Sequence, residues 1–124
     1  MDDEASIREL LGQMLSCLGY TPTLSSDGAE AVALYREALR GPFAFQAVIL
    51  DLTVFGGMGG VEALRRLLRL DPGVRAIITS AYIHDQVMTD FRRYGFCGSL
   101  EKPYNVNRFA LLLQKILADP PPWP

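Results

Sequence analysis

Residues 46–51 read QAVILD, and LTVFGGMGG follows at 52–60. Four consecutive apolar residues, Ala47, Val48, Ile49 and Leu50, run into the carboxylate of Asp51, with a glycine-rich turn behind it. A short unbroken apolar run between turn residues reads as a strand buried on both faces, the kind found in the middle of a parallel sheet. Asp51 then stands at the carboxyl end of that strand. In open α/β sheets ligands sit at this edge, because the loops part there and helix amino termini point toward it.

On the carboxyl side, residues 61–70 place Val61, Leu64, Leu67 and Leu68 on one helical face and three arginines elsewhere, and Asp71, Pro72 and Gly73 close the helix. VRAIIT at 74–79 predicts a strand that delivers Ser80 to the same edge as Asp51. Residues 84–94 carry a weaker helical pattern through Val87, Met88 and Phe91, ended by Gly95. Residues 96–100 predict another strand, leading into Glu101, Lys102 and Pro103, and residues 106–117 a last helix with Phe109, Leu112, Leu113, Ile116 and Leu117 apolar. DPPPWP at 119–124 cannot continue that helix and reads as an extended tail or linker after a domain of residues 1–118.

On the amino side, the acidic cluster Asp2, Asp3 and Glu4 precedes a helix predicted over 5–18, with Ile7, Leu10, Leu11, Met14, Leu15 and Leu18 apolar and Gly19 as its stop. Residues 20–24 predict a short edge strand, weakened by Pro22. Ser26 or Asp27 caps a helix over 28–40 whose apolar face includes Ala29, Val32, Ala33 and Leu39. Strands alternating with helices at this spacing predict a doubly wound parallel sheet. A strand should precede the acidic cluster, yet the cluster stands at the start of the chain. In a five-stranded order 2-1-3-4-5 that strand is central, so residues upstream of Met1 or a second chain are expected to fill its place.

A chain of 124 residues suits one domain, and 12 Lys plus Arg against 14 Asp plus Glu leave a net charge of −2, no electrostatic footprint for nucleic acid or an anionic membrane surface. Apolar runs fall far short of the roughly 20 residues that span a bilayer, and no basic-then-apolar leader opens the chain, so a cytoplasmic domain is expected. Cys17 and Cys97 read as buried free thiols in a reducing compartment.

Asp2 and Asp3, Asp51, Ser80, and Lys102 with Pro103 thus converge on one edge. Crowded carboxylates repel, and a hard cation with oxygen ligands relieves this; Mg²⁺ suits one or two carboxylates plus waters and phosphate oxygens. A neighbouring Lys and Ser would complete a phosphoryl site with a carboxylate nucleophile.

In this order, MDDE, VILDLT, IITSAY and EKPY resemble the receiver domain of two-component response regulators. DLTVFGGMGG, SAY and YGFCGSLEKPY resemble receivers of hybrid sensor histidine kinases. The resemblance implies a flavodoxin-like fold with its first strand largely missing. It implies that Asp51 is the phosphoacceptor, taking a phosphoryl group from the phosphohistidine of a histidine kinase, directly or through a phosphotransfer protein, and later losing it by hydrolysis. Asp2, Asp3, Asp51 and the backbone carbonyl of Thr53 match the Mg²⁺ ligands, Ser80 the hydroxyl that bonds the phosphoryl group, and Lys102 the lysine that pairs with it. Pro103 matches a proline preceded by a cis peptide bond, and Thr53 and Tyr82 match positions that tune phosphoryl lifetime. The face switched on phosphorylation would bind a partner, with a homodimer left open. Ser99 departs from the pattern where many receivers carry an aromatic switch residue, and Phe55 where proline is usual.

Two other functions compete. A degenerate receiver would be a binding or dimerisation module that is never phosphorylated. An aspartyl phosphatase of the haloacid dehalogenase type would need DxDxT, and Thr53 stands where the second Asp should be. The isolated glycine loop lacks the Lys and Ser/Thr of a P-loop and reads as a turn, and His84 as a surface residue. Tyr104 reads as core or interface.

Overall fold

The structure, a computed structural model, describes residues 1–118; the predicted tail at 119–124 lies outside the described residues. The apolar runs form three strands, β1 (Val48–Asp51), β2 (Ala76–Ser80) and β3 (Gly98–Glu101), all parallel and ordered β1-β2-β3. All five residues of β2 are buried, which is why its sequence shows no polar alternation. Register places Asp51 opposite Thr79 and Ser80 opposite Glu101, so the ends of all three strands reach one edge.

The helices are α1 (Ala5–Cys17), α2 (Gly28–Leu39), α3 (Gly60–Leu70), α4 (Gln86–Thr89) and α5 (Val106–Ala118). They cover both faces of the sheet, as right-handed crossovers between parallel strands require. On one face α2, α3 and α4 pack Val32, Tyr35, Leu64, Leu67, Val87 and Met88 against Leu50, Ala76 and Ile78. On the other, α1 and α5 pack Leu11, Phe109, Leu113 and Ile116 against Ile77 and Leu100. Tyr104 packs beside this second cluster, and His84 is exposed.

Several expectations need correction. Residues 20–24 form no strand. A strand exists by pairing, and the position between this segment and β1 holds only Met1 and Asp2, whose backbones bond β1 on one side and Ser25 on the other. The described sheet is therefore the 3-4-5 portion of the expected order. Residues 84–94 are not one helix. Asp85 caps α4 by accepting the Val87 N–H at 2.9 Å, but one turn later the chain breaks at Asp90 (φ −126°, ψ 47°). It resumes as a 3-10 turn, Phe91–Tyr94, that ends on Gly95 at φ +97°. The buried face of α2 is Ala31, Val32 and Tyr35; Ala29 and Ala33 are exposed. Asp27, one of the two candidate caps, accepts the Glu30 N–H at 2.9 Å. Both cysteines are free, but Cys17 is exposed and Cys97 half-buried, because Cys17 lies on the outer side of the last turn of α1.

Tyr35, 3% exposed, donates its hydroxyl to Asp71 Oδ2 at 2.6 Å and so ties α2 to the turn after α3. Burial, then this hydrogen bond, raises its pKa above the ordinary tyrosine value. Tyr35→Phe removes the donor and leaves a carboxylate that also accepts the Gly73 N–H. We expect a loss of about 1–2 kcal/mol, read as a lower urea midpoint with unchanged slope; an unchanged midpoint would mean the bond adds nothing.

Candidate functional site

β1 ends in Asp51, which is 3% exposed. The chain enters the site from the other side through Met1 and Asp2: the Met1 amino nitrogen donates to Ile49 O at 2.7 Å, and the Asp51 N–H donates to Met1 O at 3.1 Å. These bonds hold Asp2 (1% exposed) and Asp3 beside Asp51, and one carboxylate oxygen from each of the three lies within 4.8 Å of the others. Arg8 fastens the segment by donating from Nη1 to Asp2 O at 2.8 Å. The sequence patterns had singled out neither Met1 nor Arg8; a single basic residue on an amphipathic helix carries no distinguishing local signal.

The oxygens are divided among partners. Asp2 Oδ1 accepts the Glu4 N–H at 3.0 Å, and Asp3 Oδ2 accepts the Phe55 N–H at 3.2 Å. Lys102 Nζ donates to Asp51 Oδ1 at 3.0 Å and lies 2.9 Å from Asp2 Oδ2. Asp2 Oδ2 is buried and that contact lacks hydrogen-bond alignment, so the oxygen makes an ion pair and no hydrogen bond. Asp51 Oδ2 is the oxygen the lysine does not hold. Lys102 follows β3, anchored by its N–H to Ser80 O at 3.0 Å, and its peptide bond to Pro103 is cis. Ser80, 3% exposed, accepts the Tyr82 N–H on Oγ at 2.9 Å, which leaves its own hydroxyl proton free to be donated. Tyr82 is 66% and Phe55 84% exposed, at the rim. Thr53 is exposed on the loop after β1.

The glycine loop serves close approach. A Cβ on Gly60 would stand 2.7 Å from Asp51 O, and one on Gly59 2.7 Å from Leu52 O. The missing side chains let the amino terminus of α3 sit against the end of β1. The paired glycines before a helical pattern were the available signal for this.

Burial raises the Asp51 carboxyl to about 6; the hydrogen bond from Lys102 opposes this, while the Asp2 and Asp3 charges add to it. Burial would lower the Lys102 ammonium, but its ion pair with Asp2 and its hydrogen bond and charge pairing with Asp51 exceed that effect and raise it. The shift on Asp51 has a consequence for metal-free protein. A carboxyl raised in the folded state stabilises the fold fully below its ordinary value, 3.8, and that contribution is lost as pH rises through about 6. We expect stability to fall between roughly pH 4 and pH 6 and Asp51→Asn to flatten that slope, measured by denaturant titration across pH. A slope identical in the variant would place the titration elsewhere.

Three clustered carboxylates, one with an oxygen that no hydrogen bond satisfies, form a hard-oxygen donor set that fits Mg²⁺. The arrangement is thus a doubly wound α/β domain with a buried carboxylate, an acidic pair, a hydroxyl and a lysine at the carboxyl edge of its sheet. The profile of the response regulator receiver domain matches residues 1–114, and the chain belongs to that family, the receiver domains of two-component signalling. Among curated relatives it is 33% identical over 87% of its length to a response regulator receiver protein of Anaeromyxobacter, of which it spans 43%. It is 26% identical to sporulation initiation phosphotransferase F of Bacillus subtilis, covering 94% of this chain and 90% of that one. The receiver domain of a Pseudomonas aeruginosa sensor histidine kinase, described with a magnesium ion in its active site cleft, superposes with a TM-score of 0.81 at 22% identity, covering 96% of this chain and 94% of that one. A CheX–CheY–BeF₃–Mg²⁺ complex from Borrelia burgdorferi gives 0.84 at 24% identity, covering 95% and 86%. At these identities the structural likeness shows the fold. Among the described residues no helix is long and apolar enough to cross a membrane.

Proposed function

We propose that Asp51 accepts a phosphoryl group from a phosphohistidine. The observation that carries this reading is the placement of Asp51 with one oxygen held by Lys102 at 3.0 Å and two further carboxylates within 4.8 Å. Asp51 Oδ2 attacks the phosphorus in line; the O–P bond forms as the P–N bond breaks, and the imidazole nitrogen keeps the electron pair and takes a proton from water. Lys102 neutralises charge on the transferring oxygens, and Ser80 donates its hydroxyl to one of them while its oxygen stays bonded to the Tyr82 N–H. Mg²⁺, held by Asp2, Asp3, Asp51 and the Thr53 carbonyl, would supply further charge neutralisation. Water later hydrolyses the acyl phosphate, with Thr53 and Tyr82 governing its access.

The partner is a histidine kinase or a phosphotransfer protein, and the domain, residues 1–118, works in the cytoplasm, a setting that suits its two free thiols. Motif likeness supports an origin in a hybrid sensor kinase. The new charge on Asp51 would reposition Ser80 and the loop tied to it through Tyr82, repacking the face of α4, β3 and α5. With Ser99 in place of an aromatic, that coupling runs through the loop rather than through a ring rotation.

Intact mass after treatment with a small-molecule phosphodonor tests this. Wild type with Mg²⁺ should gain about 80 Da, one phosphoryl group in place of a proton, and Asp51→Asn or chelated wild type should gain nothing. No gain by folded, Mg²⁺-supplied protein would overturn the reading and leave a binding module that is never phosphorylated.

A further inference from the structure

The stretch that follows Asp51 is anchored at both ends. Leu52 donates its N–H to Thr79 O at 2.9 Å, and Met58 O accepts the Gly28 N–H at 2.8 Å. Among the described residues, the span 53–57 between these anchors makes one hydrogen bond: the Phe55 N–H donates to Asp3 Oδ2 at 3.2 Å. Its partner lies 52 residues away in the chain, in the acidic pair. One bond therefore closes the loop that carries Thr53 against the carboxylates.

That bond depends on which residue stands at position 55. Phe55 and Gly56 form a turn, with Gly56 at φ +72°, the left-handed region required at the second central position of a type II turn. Phe55 takes the first central position, where proline is common. A proline there would keep the turn but have no N–H to donate. The Phe55 ring is 84% exposed and packs little, so what the residue brings to the site is its backbone donor. Asp2 and Asp51 are fixed by burial, whereas Asp3 is only half-buried and needs another restraint. A carboxylate that accepts an N–H is held in one orientation and keeps lone pairs for a cation.

We propose that the Phe55 N–H is a positioning group for the divalent cation: it orients the Asp3 carboxylate and, by closing the loop, keeps the segment that carries the Thr53 carbonyl against the site. This role rests on the reading of Asp2, Asp3, Asp51 and Thr53 as a Mg²⁺ site, which the buried Asp2 Oδ2 without a hydrogen bond supports. Cation binding and loop order are then linked in both directions. Whatever factor the bond adds to Mg²⁺ affinity, bound Mg²⁺ adds to the stability of the bond. Donors of this kind, outside the ligand shell, contribute about 10–100-fold in metal affinity, and an exposed bond of 3.2 Å belongs at the low end of that range.

Calorimetric titration with Mg²⁺ alone, on wild type, Phe55→Pro and Phe55→Ala, tests this. Phe55→Pro should raise the Mg²⁺ dissociation constant by about tenfold, whereas Phe55→Ala, which keeps the N–H, should leave it within about twofold of wild type. In an Asp3→Ala background Phe55→Pro should add nothing further, because the acceptor is already gone. Amide exchange on wild type needs no variant: saturating Mg²⁺ should slow exchange at Phe55 by about the same tenfold. With Mg²⁺ bound by wild type, four results would each overturn the role of this N–H and leave the cation site standing: an unaltered constant in Phe55→Pro, an equal loss in Phe55→Ala, a full further loss in the Asp3→Ala background, or Phe55 exchange unchanged or faster with Mg²⁺. A folded wild type that binds no Mg²⁺ would overturn the cation site itself, and this role with it.

Discussion

Lys102→Met should slow phosphoryl uptake from a small-molecule donor by about 10²–10³-fold while the protein still folds, because a single preorganised charge facing the transferring oxygens commonly contributes that much. The side chain is 16% exposed and bridges two buried carboxylates at 2.9 and 3.0 Å, so its loss leaves Asp2 and Asp51 facing each other with the Asp3 carboxylate close by. Breaking a buried pair by removing one partner typically costs about 3–5 kcal/mol. Here the cost should be nearer 2–3, since a carboxyl already raised to about 6 can take up a proton. Two readouts separate these effects. Urea midpoints without metal should fall, and saturating Mg²⁺ should recover much of the fall, because the ion neutralises the same carboxylates. Uptake should remain slow under that saturation, since charge at the metal does not replace the ammonium. Wild-type uptake in the variant would remove Lys102 from the chemistry.

Gly60→Ala should be the most damaging methyl that can be added at the site. A helical glycine replaced by alanine ordinarily gains up to about 1 kcal/mol. At Gly60 the added carbon would lie 2.7 Å from Asp51 O, 2.8 Å from Ile78 Cδ1 and 3.2 Å from Leu50 Cβ. Ile78 can rotate its terminal methyl, but the Asp51 carbonyl belongs to β1 and moves only with the strand. Overpacking of this kind costs about 1–3 kcal/mol, which exceeds the helix gain. The thermal midpoint should drop by roughly 5–10 °C. Because the clash is with the backbone of the acceptor residue, phosphoryl uptake should fall as well, at a temperature where the variant is folded. Gly41→Ala is the control: its Cβ would meet only Ala38 O at 3.7 Å, an ordinary contact, and its midpoint should scarcely change. Equal effects at both positions would show that the loss of a glycine in itself, rather than the approach of α3 to β1, decides the outcome.

Much of the site is legible without coordinates because its residues are attached to the strongest local signals in the chain. β1 and β2 are short apolar runs, and the polar residue that ends each one must lie at the same edge once the strands are parallel. This places Asp51 and Ser80 without knowledge of any contact. Lys102 follows from the next run. The packing faces of α3 and α5 are likewise legible, since a helix that buries one stripe repeats it every three to four residues.

What sequence could not decide depends on partners distant in the chain. Residues 20–24 carry a strand pattern yet form no ladder, because pairing needs a neighbour on the adjoining position and only Met1 and Asp2 stand there. The face of α2 that is buried carries Ala31, Val32 and Tyr35, packed on α3 and the sheet, and Tyr35 there reaches Asp71, 36 residues away. The helix expected over 84–94 broke where Thr89 and Asp90, both weak helix formers, met only a short stretch of core through Val87 and Met88. The holding of one Asp51 oxygen by Lys102 and one Asp3 oxygen by the Phe55 N–H is likewise tertiary. Local periodicity reports which way a side chain faces within its own element; which group it meets there is set only when elements far apart in sequence pack together.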